Sequence, residues 1–331
     1  MSRWGARLIL AGLAFGVLGM TGCQYHSKQD VYYLISTNLK LPYWKTVSEG
    51  FSKAAAEYGV TARIDGPDTY DAQAELTAFQ KAVVNKPAGI LISVADAALL
   101  RPEINSAIEA GIPVITVDSD APTSERLYFI GTNNLEAGHL GGQRLVEKLQ
   151  DKGNVVFYTI AGQPNLEERL AGYKDVLAAH PGIKIVDVFD TKGDAGAAFD
   201  QTSQYLGRTG ADKVDAFVSL ESSAGKGIAE VLKRKNVTDR TVIAMDVDAD
   251  TLNLIKDGAL EATVSQKPFT MGYVGLKALD EVHHNHPKEF RSNYAVDSFS
   301  EYPYFVDTGT ALVDKINADL YMASAAEAGQ Q

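Results

Sequence analysis

The sequence predicts an α/β protein built as two doubly wound parallel-sheet lobes. Three observations predict it. From Val31 onward short apolar runs alternate with amphipathic stretches, the pattern of strands buried in a parallel sheet with helices on both faces. The same rhythm restarts near Asn154. With a leader removed, the chain of about 300 residues still exceeds what one hydrophobic core usually organises.

The first element is a targeting segment. Arg3 and Arg7 precede an uncharged, largely apolar run over residues 8–20, too short to span a bilayer but suited to the apolar region of a signal peptide. Met20-Thr21-Gly22-Cys23 follows, and Cys23 is the single cysteine of 331 residues. The tetrapeptide resembles the bacterial lipobox, which implies a signal peptide over 1–22, lipidation of Cys23 and a membrane anchor. With Cys23 used in this way, no thiol remains for catalysis, metal binding or a disulfide. Loss of Arg3 and Arg7 with the leader changes the net charge from −11 to −13. An acidic chain with no long basic run repels nucleic acid, so no DNA or RNA partner is expected.

Residues 23–30 are polar and read as a tether. Strands are predicted at 31–36, 61–64, 89–93 and 113–117, and again at 154–160, 184–189, 216–220, 241–245 and 262–265. Helices are predicted over 44–58, where Val47, Phe51, Ala55 and Tyr58 share a face, and over 166–179, 198–206, 223–234 and 251–256. Ligands of doubly wound folds bind beyond the carboxyl ends of the strands, and a cleft between two such edges is the default site. The polar residues just after the strands are Ser36-Thr37-Asn38, Asp118-Ser119-Asp120, Gln163 to Asn165, Glu221-Ser222-Ser223, Asp246 and Gln266.

Several motifs in order then carry a resemblance. They are Ile35-Ser36-Thr37-Asn38 with Pro42-Tyr43-Trp44, the run Gly111 to Asp118, Ile130 to Gly138, Ala161 to Arg169, Val242 to Asp246 and Ala262 to Pro268. Over nearly all of residues 31–315 the chain is similar to the ribose- and galactose-binding class of periplasmic proteins that serve ABC importers. The resemblance implies the periplasmic binding protein-like I fold, with a first lobe of 31–131 and 267–298, a second of 132–266 and 299–315, and a C-terminal extension of 316–331. Tyr304 to Gly309 looks like the third crossing between lobes, which completes the three-segment hinge that the resemblance implies. The resemblance also implies that Tyr43 and Trp44 face a sugar, whose C–H groups pack on aromatic faces. Asp118 and Asp246 would accept hydrogen bonds from hydroxyls, although an Asp after a strand also serves as a helix N-cap. Gln163, Asn165 and Arg169 stand where the galactose-binding branch has a histidine, an aspartate and an arginine that reach the sugar. Gln266 falls at the second crossing, and Asn38, Ser119 and Glu221 complete the implied ligand-binding set.

Departures bear on the ligand. Ser119 stands where ribose binders usually have Arg, Gly193-Asp194 where an aromatic wall is expected, Glu221 where Asn is frequent, and Leu41 in place of a polar residue. A cleft with Asp118, Asp194, Glu221 and Asp246 against Arg169 disfavours anionic solutes, so a neutral sugar or polyol is expected, with an amino sugar or cationic solute as the alternative. Patterns that imitate other chemistry are weaker. Ala224-Gly225-Lys226-Gly227 lacks the first glycine and the Ser/Thr of a phosphate loop. Asp246-x-Asp248-x-Asp250 lacks the glycine and glutamate of a calcium loop and suits a helix cap at Thr251. His283, His284 and His286 suit a helix C-terminus, so no metal is expected. No catalytic residue and no cofactor are expected. The implied function is an extracytoplasmic lipoprotein, not an enzyme, that binds a sugar-like solute between its lobes and delivers it to an ABC permease, with a chemoreceptor or sensor kinase as the alternative recipient.

Overall fold

The apolar runs form two six-stranded sheets in the computed structural model, which describes residues 25–286, 290 and 297–328. The expected signal peptide and Cys23 lie outside the described residues. The first sheet contains β1 (Val31–Ile35), β2 (Thr61–Asp65), β3 (Gly89–Ile92), β4 (Val114–Val117), β5 (Phe129–Gly131) and β11 (Phe305–Asp307) in the order β11-β5-β4-β3-β1-β2. The second contains β6 (Gly153–Thr159), β7 (Ile183–Asp190), β8 (Ala216–Ser219), β9 (Thr241–Met245), β10 (Ala262–Ser265) and β12 (Ala311–Asp314) in the order β12-β10-β9-β8-β6-β7. Rank by rank the two orders correspond, so β4 and β9 occupy equivalent places. Every described pairing is parallel except β12 with β10, which departs from the all-parallel expectation for the second lobe. An antiparallel strand is tolerated there because it sits at the sheet edge.

Side chains alternate across each strand into two buried layers. Val156 and Tyr158 enter one apolar cluster of the second lobe with Phe217 and Ile228, while Val155 and Phe157 enter another with Leu166 and Ile243. A strand covered on both faces reads as an unbroken apolar run, which is why these segments are legible without alternation. The first lobe carries one core that includes Tyr32, Leu34, Phe51, Phe79, Ile90, Val114 and Leu276.

Helices α1 (Pro42–Tyr58), α2 (Ala72–Val84), α3 (Ala97–Glu109) and α9 (Pro268–His284) cover the first sheet. Helices α4 (Asn134–Leu149), α5 (Pro164–Leu177), α6 (Ala195–Tyr205), α7 (Ala224–Arg234), α8 (Ala249–Lys256) and α10 (Ala318–Ala328) belong to the second lobe. Their starts follow local chemistry. Asp71, Asp96, Asn133, Asp194 and Asp248 each accept a backbone N–H of the first turn, and α1, α5 and α9 open on Pro. The calcium-like aspartates thus resolve into a cap at Asp248, three residues before the expected Thr251, and Ala224 to Gly227 form the first turn of α7. The α4–α5 pair is held at backbone contact by Gly138 and Gly172. A Cβ on Gly138 would stand 2.1 Å from the Arg169 carbonyl oxygen, and one on Gly172 2.1 Å from that of Leu135.

The lobe assignment of 299–315 requires a correction. β11 pairs with β5 in the first sheet, and Phe305 stacks on Phe129 with ring centroids 5.2 Å apart, so only β12 of that stretch joins the second sheet. The free edge of β5 selects this partner, which no local pattern in a three-residue strand reveals. The third crossing is therefore 308–310. It is stitched to the other two crossings, as Thr308 N–H and Oγ1 donate to the Gly131 carbonyl at 2.8 and 3.0 Å, and Thr310 Oγ1 donates to that of Ser265 at 2.8 Å.

Candidate ligand-binding cleft

The carboxyl ends of both sheets face one cleft. Ten of the expected residues line it: Asn38, Tyr43, Trp44, Asp118, Gln163, Asn165, Arg169, Glu221, Asp246 and Gln266. The lobes meet across it, with Asn165 Nδ2 donating to Asp118 Oδ2 at 3.3 Å. The cavity is half open and holds about 60 Å³, and since roughly 10–15 Å³ on this scale holds one water, it has room for a small solute.

Asp118 and Asp246 are the paired feature of the site. Each follows the fourth strand of its lobe, and each has a left-handed backbone, with φ of 63° and 71°. Asp tolerates that region better than most residues, and the turn aims the carboxylate into the cleft instead of along the strand. Asp118 accepts from Tyr43 Oη at 2.7 Å and from Ser93 Oγ at 3.5 Å; Asp246 Oδ1 accepts from Gln266 Nε2 at 2.8 Å. Burial pushes both carboxyls up, Asp246 to about 7, while Gln266 and Arg169 pull Asp246 part of the way back. Burial, aided by Asp118 and Asp246, likewise holds the Tyr43 hydroxyl well above its usual value, so it remains a donor.

Arg169 lies between them on α5 and is 2% exposed. Its Nη1 donates to the Leu220 carbonyl, its Nη2 to Asn134 Oδ1 at 2.5 Å and, at 3.5 Å, to Gln266 Oε1. Nε has no partner among the described residues, and no described carboxylate reaches ion-pair distance of the guanidinium. A buried donor without a partner costs about 1–3 kcal/mol, a penalty that a ligand oxygen would remove. Gln266 Oε1 also accepts from Thr132 Oγ1 at 2.9 Å, so one amide ties the second crossing to the first and to Asp246.

Three expectations are corrected, those for Ser119, Asp194 and Gly193. Ser119 does not line the cleft: the left-handed Asp118 turns the chain back, Ser119 N–H bonds the Val117 carbonyl at 2.7 Å, and its side chain is fully buried. Asp194 adds no charge to the cleft because it caps α6, accepting from Gly196 N–H at 2.7 Å. Glu221 lines the cleft, but both its oxygens are engaged by the start of α7, through Ser223 N–H, Ser223 Oγ and Ala224 N–H at 2.6–2.8 Å. Nor is the cleft poorly walled at Gly193. Tyr70 from the first lobe fills that place, and a Cβ on Gly193 would lie 2.8 Å from the Tyr70 Cβ. Tyr70 stands on the loop between β2 and α2, immediately before the capping Asp71. The strand-end logic that selects the other residues reaches Tyr70 only when extended to the far end of the β2–α2 loop. Ile160 and Leu166 add apolar lining that their sequence pattern places in the core.

Two doubly wound lobes closing their polar strand ends on one buried cleft, with three crossings between them, define a bilobal solute-binding protein. The chain belongs to the periplasmic binding protein domain family, whose model matches residues 32–285. That family implies an extracytoplasmic location, and its members are binding proteins. The ribose import binding protein of Escherichia coli K12 is 26% identical over 260 residues, 77% of this chain and 85% of the relative. Among solved structures, the arabinose-binding protein AraP of Geobacillus stearothermophilus superposes with a TM-score of 0.72 at 32% identity, covering 88% of this chain and 99% of that one. A solute-binding protein of an ABC transporter from Burkholderia graminis, solved with D-arabinose, gives 0.78 at 27% identity over 88% of this chain and 96% of its own.

Proposed function

We propose that this protein binds a neutral monosaccharide or polyol between its lobes and delivers it to an ABC permease. The observation that carries the reading is the convergence of Asp118, Asp246 and Arg169 on one cavity between the lobes. Two carboxylates accept from vicinal hydroxyls, a guanidinium donates to ring or hydroxyl oxygens, and Tyr43, Trp44 and Tyr70 offer faces to C–H groups. One cation against two acids rejects phosphorylated and carboxylated solutes. The arabinose-, ribose- and sugar-binding relatives support the class of solute. A solute that touches both lobes has greater affinity for the closed state, and that difference shifts the population toward the form a permease reads.

Anchoring through Cys23 belongs to the same proposal and rests on Met20-Thr21-Gly22-Cys23. A chemoreceptor or sensor kinase reading the same closed surface would leave solute affinity unaltered and is distinguished by whether solute-loaded protein stimulates the ATPase of the cognate permease. Titration calorimetry against pentoses, hexoses, pentitols and their phosphates is the test. Saturable heat with a neutral member and none with its phosphate is expected; silence across the neutral set refutes the reading. Turnover of a glycoside by the purified protein would replace it with an enzymatic one.

A further inference from the structure

By sequence the histidines at the end of α9 are helix-end residues, but the tertiary structure adds partners remote from them along the chain. His26, in the segment before β1, packs against α9 and brings its Nδ1 to 3.0 Å from Asp280 Oδ2. His284, one turn beyond Asp280, places its own Nδ1 at 3.6 Å from the same oxygen. Asp280 is 1% exposed, a position where a carboxylate needs a compensating charge. One ligand atom from each of the three residues falls within 4.8 Å of the others.

We propose that His26, Asp280 and His284 form a binding site for zinc that clamps the segment preceding β1 to the end of α9. Two imidazoles and a carboxylate are a donor set that suits zinc, with water completing the tetrahedron. Ligand bonds of about 2.0–2.2 Å place tetrahedral donor atoms roughly 3.3–3.6 Å apart, and the two measured separations bracket that range. His26 Nδ1 is buried and has no hydrogen-bond partner among the described residues despite its closeness to Asp280, so the contact is aligned for a shared cation better than for a shared proton.

The surroundings supply what ligands of a metal need. Tyr32 Oη donates to Asp280 Oδ1 at 2.9 Å, which orients the carboxylate and leaves Oδ2 toward the histidines. His284 Nε2 lies 3.7 Å from Asp30 Oδ2, too far for a hydrogen bond but placing an outer carboxylate on the side of the ring opposite Nδ1. Both rings are held by stacking, His26 on Tyr58 at 4.4 Å and His284 on Tyr25 at 4.3 Å between centroids. Without zinc, His284 Nδ1 is 2.9 Å from the Asp280 carbonyl oxygen, so zinc must displace a proton from that nitrogen. His283 faces Asp30 at 3.8 Å and stands outside the proposed ligand set.

The test is zinc titration of the untagged, chelator-washed full chain by calorimetry, with sugar titration of the same preparations as a measure of intact fold. One zinc per chain is expected. His26→Ala and His284→Ala should each weaken it more than tenfold, Tyr32→Phe by about tenfold, the low end for an outer-shell partner, and His283→Ala not measurably. Zinc should also slow amide hydrogen exchange over residues 25–30. No saturable zinc binding, or binding that survives both histidine substitutions, overturns the site; unchanged exchange in the zinc-loaded chain overturns the clamp. Sugar affinity is expected to be the same in all these variants, so failure here leaves the cleft reading untouched.

Discussion

Replacing Asp246 with Asn should make the empty protein more stable and the sugar complex weaker. Asn keeps the shape, tolerates the φ of 71°, and still accepts the 2.8 Å hydrogen bond from Gln266 through its carbonyl. What it removes is a charge that burial disfavours. A carboxyl raised from 3.8 to about 7 holds its proton in the folded state after the unfolded chain has released it. Below pH 3.8 both states are protonated and the group is neutral in its effect. Between there and pH 7 the folded state binds more protons than the unfolded one, so stability falls as pH rises, and above 7 the loss levels off. At about 1.4 kcal/mol per unit the full difference is about 4 kcal/mol. Thermal unfolding at pH 5 and pH 8 is the assay: the variant should melt several degrees above the parent at pH 8 and much closer to it at pH 5. Sugar hydroxyls donating to the ionised form reverse the balance, so calorimetry should show affinity lower by about 1.5–3 kcal/mol in the variant. Saturating sugar should flatten the parent's pH slope. A variant no more stable than the parent at pH 8, or one that binds sugar equally well, refutes the argument that ligand hydroxyls replace the hydration this carboxylate has lost.

Other substitutions separate the roles of neighbouring groups. Arg169→Met should abolish measurable sugar heat and also lower stability by about 1–3 kcal/mol, because the Leu220 carbonyl and Asn134 amide lose buried donors; unchanged melting would show that the guanidinium is not structural. Gly193→Val meets Tyr70 only when the lobes are together and strains a φ of 75°, so apparent affinity should drop at least tenfold through loss of the closed population, read by titration and by a larger radius of gyration in X-ray scattering. An equally closed, equally tight variant would refute the contact. Gly138→Ala should destabilise the second lobe by about 1–3 kcal/mol and displace Arg169 with it, since the new methyl falls on the Arg169 carbonyl. Wild-type melting and binding would contradict the close approach of α4 and α5.

Much of this protein is legible in the amino-acid sequence alone. The apolar runs that form β1, β3, β4, β6, β8, β9 and β10 stand out because strands buried on both faces admit few polar residues, as at Val155 to Tyr158, whereas the three-residue β5 leaves no such signal. Strand-end polarity locates Asp118, Asp246 and Gln266, since in a doubly wound sheet the carboxyl edge is where a chain leaves the core and polar side chains find room; Arg169, inside α5, is reached only through the family resemblance. What stays hidden depends on distances between segments remote in sequence. Nothing local to 305–307 tells that it pairs with β5, nothing near Gly193 tells that Tyr70 faces it, and Ser119 is turned inward by the backbone of its neighbour. The same holds for charge: Asp194 and Glu221 count as acids in any composition, but helix starts beside them consume their acceptors. His26 and His284 stand 258 residues apart, and only the packing of α9 against the segment before β1 makes them neighbours. Periodicity and turn chemistry are properties of a few consecutive residues and are written in order along the chain; register at an open edge, closure of a cleft and the meeting of distant ligands are decided by which surfaces the folded lobes leave free.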